Sequence, residues 1–189
     1  MSKTSVFIDG GRFYDAIHAR ACSVDIDYAA LMRTVAGAAE LANLNFYLSP
    51  ILADVYPART RHHQAVLDMV ADQGFTVKKG RTEVVYSTYQ ERGIEGWMSA
   101  DIVRDAAGTD ADTILVVSQR PELVPAVQAA REMGKRVEVA FFTNKFDPTP
   151  TELSDAADAF KEITVHDILS VPWIGPDPHR VRAALRPGA

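Results

Sequence analysis

Short apolar runs alternate with longer amphipathic stretches along this chain, and the two patterns predict different elements. The runs within 4–8 and 113–118 have the length of buried β-strands and are bounded by turn residues. Apolar residues at helical spacing follow, as in the predicted helices at 12–22 and 28–41. Strands that alternate with such helices are typical of a three-layer α/β/α fold with a mainly parallel sheet.

The rest of the chain continues this alternation, with one irregular stretch and a distinct end. Residues 78–92 are polar with β-prone patches and predict either a hairpin or a flexible flap. The other predicted elements are strands at 43–48, 75–77 and 137–142 and helices at 59–73, 94–107, 121–133 and 152–161, followed by two short segments at 163–165 and 166–169. We expect one domain over residues 1–170 and a proline-rich C-terminal tail over 171–189. Trp173 is expected to hold that tail against the body or a partner subunit.

Composition restricts the classes of protein that remain. The chain has 189 residues, of which 47% are hydrophobic and 24% are charged, as in soluble globular domains with a sizeable core. No apolar run approaches the roughly 20 residues of a membrane span. The single Cys22 excludes an internal disulfide and a cysteine-rich zinc site, so we expect a cytoplasmic protein. The formal net charge of −5 disfavours nucleic-acid partners.

Candidate chemistry concentrates where the predicted strands end. Asp9 follows the first buried run, Ser118 follows the run at 113–118, and Glu95 begins a predicted helix. Ligands of open α/β sheets bind at the carboxyl ends of the strands, so these residues form a plausible cluster. A carboxylate at the position of Asp9 serves as a metal ligand or as an acid or base. The alternative is that Asp9 only caps the following helix.

Several segments, taken in order, resemble the NYN domain group, which is related to the PIN nucleases, and in particular its bacterial LabA-like branch (DUF88). The segment Phe7–Tyr14 resembles the opening strand motif, hydrophobic-Ile-Asp-Gly-x-Asn-Leu-Tyr. Residues 92–101 resemble Lys-Gly-Val-Asp with a second aspartate six residues later, and 114–123 resemble a strand followed by Ser-Gly-Asp-Ser-Asp-Phe. Residues 134–139 and 153–160 resemble two later signatures of the group.

This resemblance implies a PIN-like fold and an acidic cluster that holds Mg²⁺ or Mn²⁺ and hydrolyses RNA. Hard divalent cations prefer carboxylate oxygens and water, and a bound cation activates water against a phosphate. Carried over by position, the catalytic candidates are Asp9, Glu95 and Asp101. The candidate metal ligands are Asp9, Asp101 and Glu122.

The chain also departs from the NYN motifs at positions that bear on this chemistry. Arg12 replaces an asparagine, Arg120 replaces the first loop aspartate, and glutamates replace two further aspartates. Arginines there repel a divalent cation and pair with the acids that remain. Arginine also suits a carboxylate or phosphate ligand, so a small ligand of that kind is expected. The candidate substrate-binding residues are Arg12, Ser118, Arg120 and the aromatic Trp97.

Three functions therefore compete at this stage, and whether the protein is an enzyme stays open. The first is a LabA-like protein with an altered acidic site, derived from metal-dependent ribonucleases. The second is an NADH-dependent hydroxylase of a carboxylated pyridine, because some members of the group are assigned to the hydroxylation of 6-hydroxy-3-succinoylpyridine in nicotine degradation. No Gly-x-Gly-x-x-Gly motif supports NADH binding. The third is a non-catalytic binding or regulatory module, and a homo-oligomer is compatible with all three.

Overall fold

The predicted alternation of strands and helices is present in the folded chain. A computed structural model describes residues 2–21, 23–51, 57–86, 88–143 and 151–174. The strands are β1 (Lys3–Asp9), β2 (Glu40–Leu48), β3 (Thr76–Lys79), β4 (Arg81–Val85), β5 (Thr88–Arg92), β6 (Thr113–Val117), β7 (Arg136–Phe141) and β8 (Ala159–Glu162). The helices are α1 (Gly10–Ala21), α2 (Tyr28–Ala36), α3 (Pro57–Asp72), α4 (Ile94–Gly108), α5 (Val124–Glu132), α6 (Thr151–Ala156) and α7 (Val165–Ser170).

Six of these strands form one sheet in the order β3-β2-β1-β6-β7-β8, and every neighbouring pair is parallel. Helices α1, α2, α3 and α7 pack on one face, and α4, α5 and α6 pack on the other. The alternation along β1 serves both layers, because Val6 and Ile8 face the first core and Phe7 faces the second. The predicted three-layer α/β/α fold is confirmed.

The order of the strands places the end of β1 at a crevice. From β1 the sheet continues to β2 and β3 on one side and to β6, β7 and β8 on the other. Such a switch in strand order leaves an opening at the carboxyl ends of the two central strands, where ligands of α/β sheets bind. Asp9 ends β1 and Ser118 directly follows β6, so both residues lie at this opening.

The boundary between α2 and β2 differs from the sequence prediction. The predicted helix at 28–41 ends at Ala36, because Gly37 adopts a φ of 76° and its N–H caps the carbonyl of Arg33. The following strand begins at Glu40 rather than Asn43, and it pairs with β1 from Lys3 onward. Asp27 caps the start of α2, since its carboxylate accepts the N–H of Ala30 at 2.7 Å.

The helix predicted at 152–161 is wrong in its second half, because the chain there forms an edge strand. Helix α6 ends at Ala156, and β8 then pairs in parallel with β7. Asp158 fixes this change: its carboxylate accepts the N–H of Val137 at 2.8 Å and pairs with Arg131. Strand β8 therefore begins at Ala159, inside the segment predicted as helix.

The irregular stretch is a hairpin, and the start of the tail folds against the body. Strands β4 and β5 pair antiparallel with each other and form a separate two-stranded sheet. Trp173 packs against the core and forms a bridge with Ile26, as expected for a residue that holds the tail. Residues 175–189 of the predicted tail lie outside the described residues.

No described helix has the length and apolar character that crossing a membrane requires.

Candidate functional site

Asp9 is completely buried at the carboxyl end of β1. The two glycines that follow it allow close packing at this point. A Cβ at Gly10 would lie 2.2 Å from a ring carbon of Phe46, and a Cβ at Gly11 would lie 2.9 Å from the Glu91 carboxylate. The Asp-Gly-Gly sequence therefore lets an aromatic ring and a second carboxylate approach the start of α1.

Arg120 occupies the centre of the site. It comes from the loop between β6 and the 3₁₀ turn Pro121–Leu123, and it is only 8% exposed. Its Nε donates to Oδ2 of Asp9 at 2.5 Å, its Nη2 donates to Oε2 of Glu91 at 2.9 Å, and its Nη1 donates to Glu95. One guanidinium thus binds three carboxylates from three different elements, and we call these four residues the Arg120 cluster.

Ser118 fixes the loop that carries Arg120. Its hydroxyl donates to Oδ2 of Asp9 at 3.3 Å and accepts the backbone N–H of Arg120 at 3.1 Å. The other carboxylate oxygen of Asp9, Oδ1, is buried and has no hydrogen-bond partner among the described residues. The hydrogen bond from the Arg120 backbone N–H to Ser118 thus fixes the loop, and the ion pair with Asp9 fixes the guanidinium.

Glu91 is the member of the cluster that the sequence analysis missed. It lies near the end of β5, and its Oε1 accepts the backbone N–H of Ser49 at 3.2 Å while Oε2 accepts from Arg120. The available signal was its spacing, since Glu91 and Glu95 lie four residues apart on either side of the Arg92-Gly93 turn that starts α4. The hairpin brings Glu91 back over α1, and no local pattern in the sequence predicts that approach.

The electrostatics of the cluster favour the charged guanidinium. Burial alone lowers the pKa of Arg120, but the hydrogen bond that Arg120 donates to Asp9 and the charges of Asp9, Glu95 and Glu91 outweigh it and raise the pKa. Arg120 is therefore held in its charged form. The arrangement holds this loop and the hairpin together through a single cation that is shared by three acidic side chains.

Asp101, which the resemblance placed with Asp9, lies in a separate set of contacts. It is 4% exposed, and its Oδ2 accepts the hydroxyl of Tyr47 at 2.8 Å and also binds Lys78, while Oδ1 accepts from Arg104 at 2.5 Å. Burial opposes ionisation of Asp101. The hydrogen bonds from Lys78 and Tyr47 and the nearby cations outweigh burial, so the pKa of Asp101 lies below its usual range. We call these residues the Asp101 cluster.

The remaining candidates lie at the surface and not in the Arg120 cluster. Glu122 is exposed in the 3₁₀ turn, Arg12 is exposed on α1, and Trp97 is 51% exposed on α4. Of the two arginines expected to pair with the acids, only Arg120 does so; Arg12 has no ion pair within the described part of the chain. The structure therefore brings together Asp9, Glu95, Ser118 and Arg120 from the predicted set.

Comparison with known proteins agrees with this architecture. A crystal structure of a protein of unknown function from Vibrio parahaemolyticus superposes with a TM-score of 0.65 at 19% identity, covering 90% of this chain and 96% of that chain, which shows a shared fold. No curated protein matches the chain significantly. The sequence profile of the NYN domain, a PIN-like nuclease-family domain, matches residues 3–164, which is well over half of the chain. The chain therefore belongs to the NYN domain family.

Proposed function

We propose that this NYN domain is a ligand-binding domain that does not hydrolyse RNA with a bound metal ion. The observation that carries the proposal is the guanidinium of Arg120, which pairs with Asp9, Glu91 and Glu95 at once. As part of the proposal we assign the chain to the LabA-like branch, on the motif resemblance in Phe7–Tyr14. The acidic site inherited from the nuclease family has become an internal ion-pair site.

The residues of this site do not fit a catalytic divalent cation. NYN nucleases typically depend on such a metal, and Mg²⁺ or Mn²⁺ requires several oxygen ligands in a compact shell. The carboxylates have suitable chemistry, but the guanidinium already binds all three of them. Among the described residues, no group of three acidic, histidine or cysteine side chains is arranged to hold a metal ion. A metal would have to displace a buried cation from its partners, which is costly.

The experiment compares Mn²⁺ binding and RNA cleavage in the wild type and in Arg120→Ala and Arg120→Asp. Arg120→Asp restores the loop aspartate of the NYN motif. The matched control is Arg104→Ala, which removes an arginine that pairs with Asp101 and not with the Arg120 cluster. We expect isothermal titration calorimetry to detect no Mn²⁺ binding to the wild type or to Arg104→Ala. We expect both Arg120 variants to bind Mn²⁺ and to gain thermal stability from it.

Two results would overturn the proposal. The first is cleavage of single-stranded RNA by the wild type that needs Mn²⁺ and disappears in Asp9→Asn, which would show a surviving nuclease. The second is NADH oxidation that depends on 6-hydroxy-3-succinoylpyridine, which would show the hydroxylase. The proposal is supported when the wild type shows neither RNA cleavage nor NADH oxidation while the Arg120 variants bind Mn²⁺. Arg120 then occupies the place that the metal has in the nucleases.

A further inference from the structure

A cavity of about 700 Å³ adjoins the Arg120 cluster. It lies between the start of α1, the segment after β2, helix α3 and the β4–β5 hairpin. Glu91 belongs to both, because it lines the cavity and its carboxylate also binds Arg120. Cavities of this size hold small organic molecules. A ligand in this cavity is therefore exposed to the charge of the cluster.

The charged side chains around the cavity carry an excess of negative charge. The wall and the Arg120 cluster together hold two guanidiniums and four carboxylates, which belong to Arg12, Arg120, Asp9, Asp15, Glu91 and Glu95. The sequence predicted an anionic ligand because two arginines lie near the site. The guanidinium of Arg120, however, is engaged by the protein's own acids. The balance of charge therefore favours a cationic ligand.

Glu91 and Ser49 together offer a site for a cationic head group. Oε1 of Glu91 accepts the backbone N–H of Ser49 at 3.2 Å, so the two residues are in contact. Ser49 is 6% exposed and lines the cavity, and its Oγ is buried without a hydrogen-bond partner among the described residues. An unsatisfied buried hydroxyl is costly, and a ligand that donates to it removes that cost. An ammonium group has three N–H donors, so it can serve the carboxylate and the hydroxyl together.

His63 provides a further uncharged polar group in the wall. Burial and the neighbouring charge of Lys79 lower the pKa of His63, so its ring is neutral near pH 7. Its Nε2 is buried and has no hydrogen-bond partner in the described part of the chain. A neutral imidazole can accept a hydrogen bond and does not repel a cation. The polar wall of the cavity is therefore compatible with an ammonium group.

Apolar surface beside this site accommodates a hydrocarbon body. Leu48 and Ile51 supply aliphatic wall, and Tyr14 from α1 and Tyr89 from β5 supply rings. Aliphatic chains are stabilised by burial against such surface, and ring faces attract an ammonium group. Among the described residues, no three acidic, histidine or cysteine side chains are arranged to hold a metal ion. The wall therefore favours an organic cation over an inorganic one.

We propose that this cavity binds a small aliphatic amine in its ammonium form. The ammonium group lies beside Glu91 and Ser49, and the hydrocarbon chain packs along the aliphatic wall. Asp15 lines the cavity one helical turn, about 5.4 Å, from Gly11, which abuts Glu91. A short diamine can therefore place its second ammonium group beside Asp15. This inference names the ligand class for the binding domain proposed above and rests on that proposal.

The test compares probes of similar length by ligand-observed NMR and calorimetry. Butylamine and 1,4-diaminobutane are the cations, butanol is the neutral partner, and butyrate is the anion. We expect butylamine to bind at least about tenfold more tightly than butanol, as one charge-assisted contact gives. We expect 1,4-diaminobutane to bind more tightly still, and butyrate to bind more weakly than butylamine.

Two variants and a matched control assign the binding to this cavity. Glu91→Gln keeps the size of the side chain and removes its charge, so it should weaken both amines by about tenfold. Asp15→Asn should weaken 1,4-diaminobutane and leave butylamine nearly unchanged, because only the diamine reaches that carboxylate. The control is Asp155→Asn on α6, since Asp155 is exposed and lies outside the cavity, and it should change neither affinity.

Two further variants test the head group and the sign of the charge without removing a member of the Arg120 cluster. Ser49→Ala removes a hydrogen-bond acceptor and should weaken both amines by about fivefold. Arg12→Ala removes a repelling cation and should strengthen both amines by about two- to fivefold, whereas an anionic ligand would be weakened. Thermal unfolding of each variant without ligand shows that it is folded.

The outcomes separate this inference from the proposed function. Failure of both amines to bind at millimolar concentration, in a wild type that also binds no Mn²⁺, overturns the ligand class and leaves the proposed function standing. Amine binding that Glu91→Gln and Ser49→Ala leave unchanged places the ligand elsewhere and also overturns the inference. Tighter binding of butyrate than of butylamine contradicts the sign of the charge. Mn²⁺-dependent RNA cleavage by the wild type overturns the proposed function whatever the probes do.

Discussion

Asp9 and Asp101 are both nearly inaccessible aspartates bound by cations, yet the two clusters are built differently. In the Arg120 cluster one arginine, 8% exposed, serves three carboxylates. In the Asp101 cluster one carboxylate, 4% exposed, receives Lys78, Arg104 and the hydroxyl of Tyr47. The first therefore has an excess of negative charge around a single cation, and the second has an excess of donors around a single anion.

This difference indicates which residue holds each cluster together. Removing Arg120 leaves several carboxylates together without a cation, whereas removing Arg104 leaves Asp101 with two other donors. A single cation among three acids is also the arrangement in which a metal ion could take its place. The Asp101 cluster has only one carboxylate, so the loss of either of its cations creates no comparable metal site.

The largest effect is expected from Arg120→Ala. The buried carboxylate of Asp9 would lose its cation beside Glu91 and Glu95, and an unpaired buried charge of this kind costs about 3–5 kcal/mol. Urea unfolding at pH 7 in the absence of divalent cations measures the change in the free energy of unfolding. Arg12→Ala is the matched control, since Arg12 is exposed and has no ion pair with another described residue, and it should change stability by less than about 0.5 kcal/mol. Equal losses in the two variants would contradict the comparison.

An intermediate effect is expected from Asp101→Asn. The variant loses charge-assisted hydrogen bonds from Lys78 and Tyr47, which predicts a loss of about 2 kcal/mol at pH 7. Because folding lowers the pKa of Asp101, its stabilisation is complete above the unfolded pKa of about 3.9 and is lost as the pH falls through the folded pKa. Urea unfolding at several pH values should show the wild type and the variant converging below about pH 4. A difference that persists at low pH would contradict this origin.

The smallest effect is expected from Arg104→Ala. The Arg104 side chain is 70% exposed and pairs with Asp101 from three residues away on the same helix. Exposed ion pairs contribute about 0–1 kcal/mol, and Asp101 keeps its two other donors in this variant. Thermal unfolding at low and high salt should therefore show little change. A loss as large as that of Asp101→Asn would mean that Arg104, and not Lys78 or Tyr47, stabilises the aspartate.

Local patterns in the sequence predicted the sheet, and with it the position of Asp9. Apolar runs such as 113–118 have the length and bounds of buried strands, and their alternation with helices predicts parallel pairing. The edge strand β8 was missed, because its four residues are only partly buried and carry no strand pattern of their own. Its hydrogen bonds come from β7, more than twenty residues earlier in the chain.

The sequence by itself determined that Asp9 and the loop containing Arg120 each follow a buried strand, because both come after apolar runs of strand length. Only the tertiary structure decided that these two strands are neighbours and which acids that arginine binds. Glu91 reaches it through a separate hairpin, and Asp101 points instead to Tyr47 and Lys78 on β2 and β3. The physical reason is that a guanidinium has several donors but occupies one position. The hydroxyl of Ser118 accepts the backbone N–H of Arg120, and the backbone N–H of Ser49 donates to Glu91, so these two contacts fix which carboxylates lie within reach of the guanidinium.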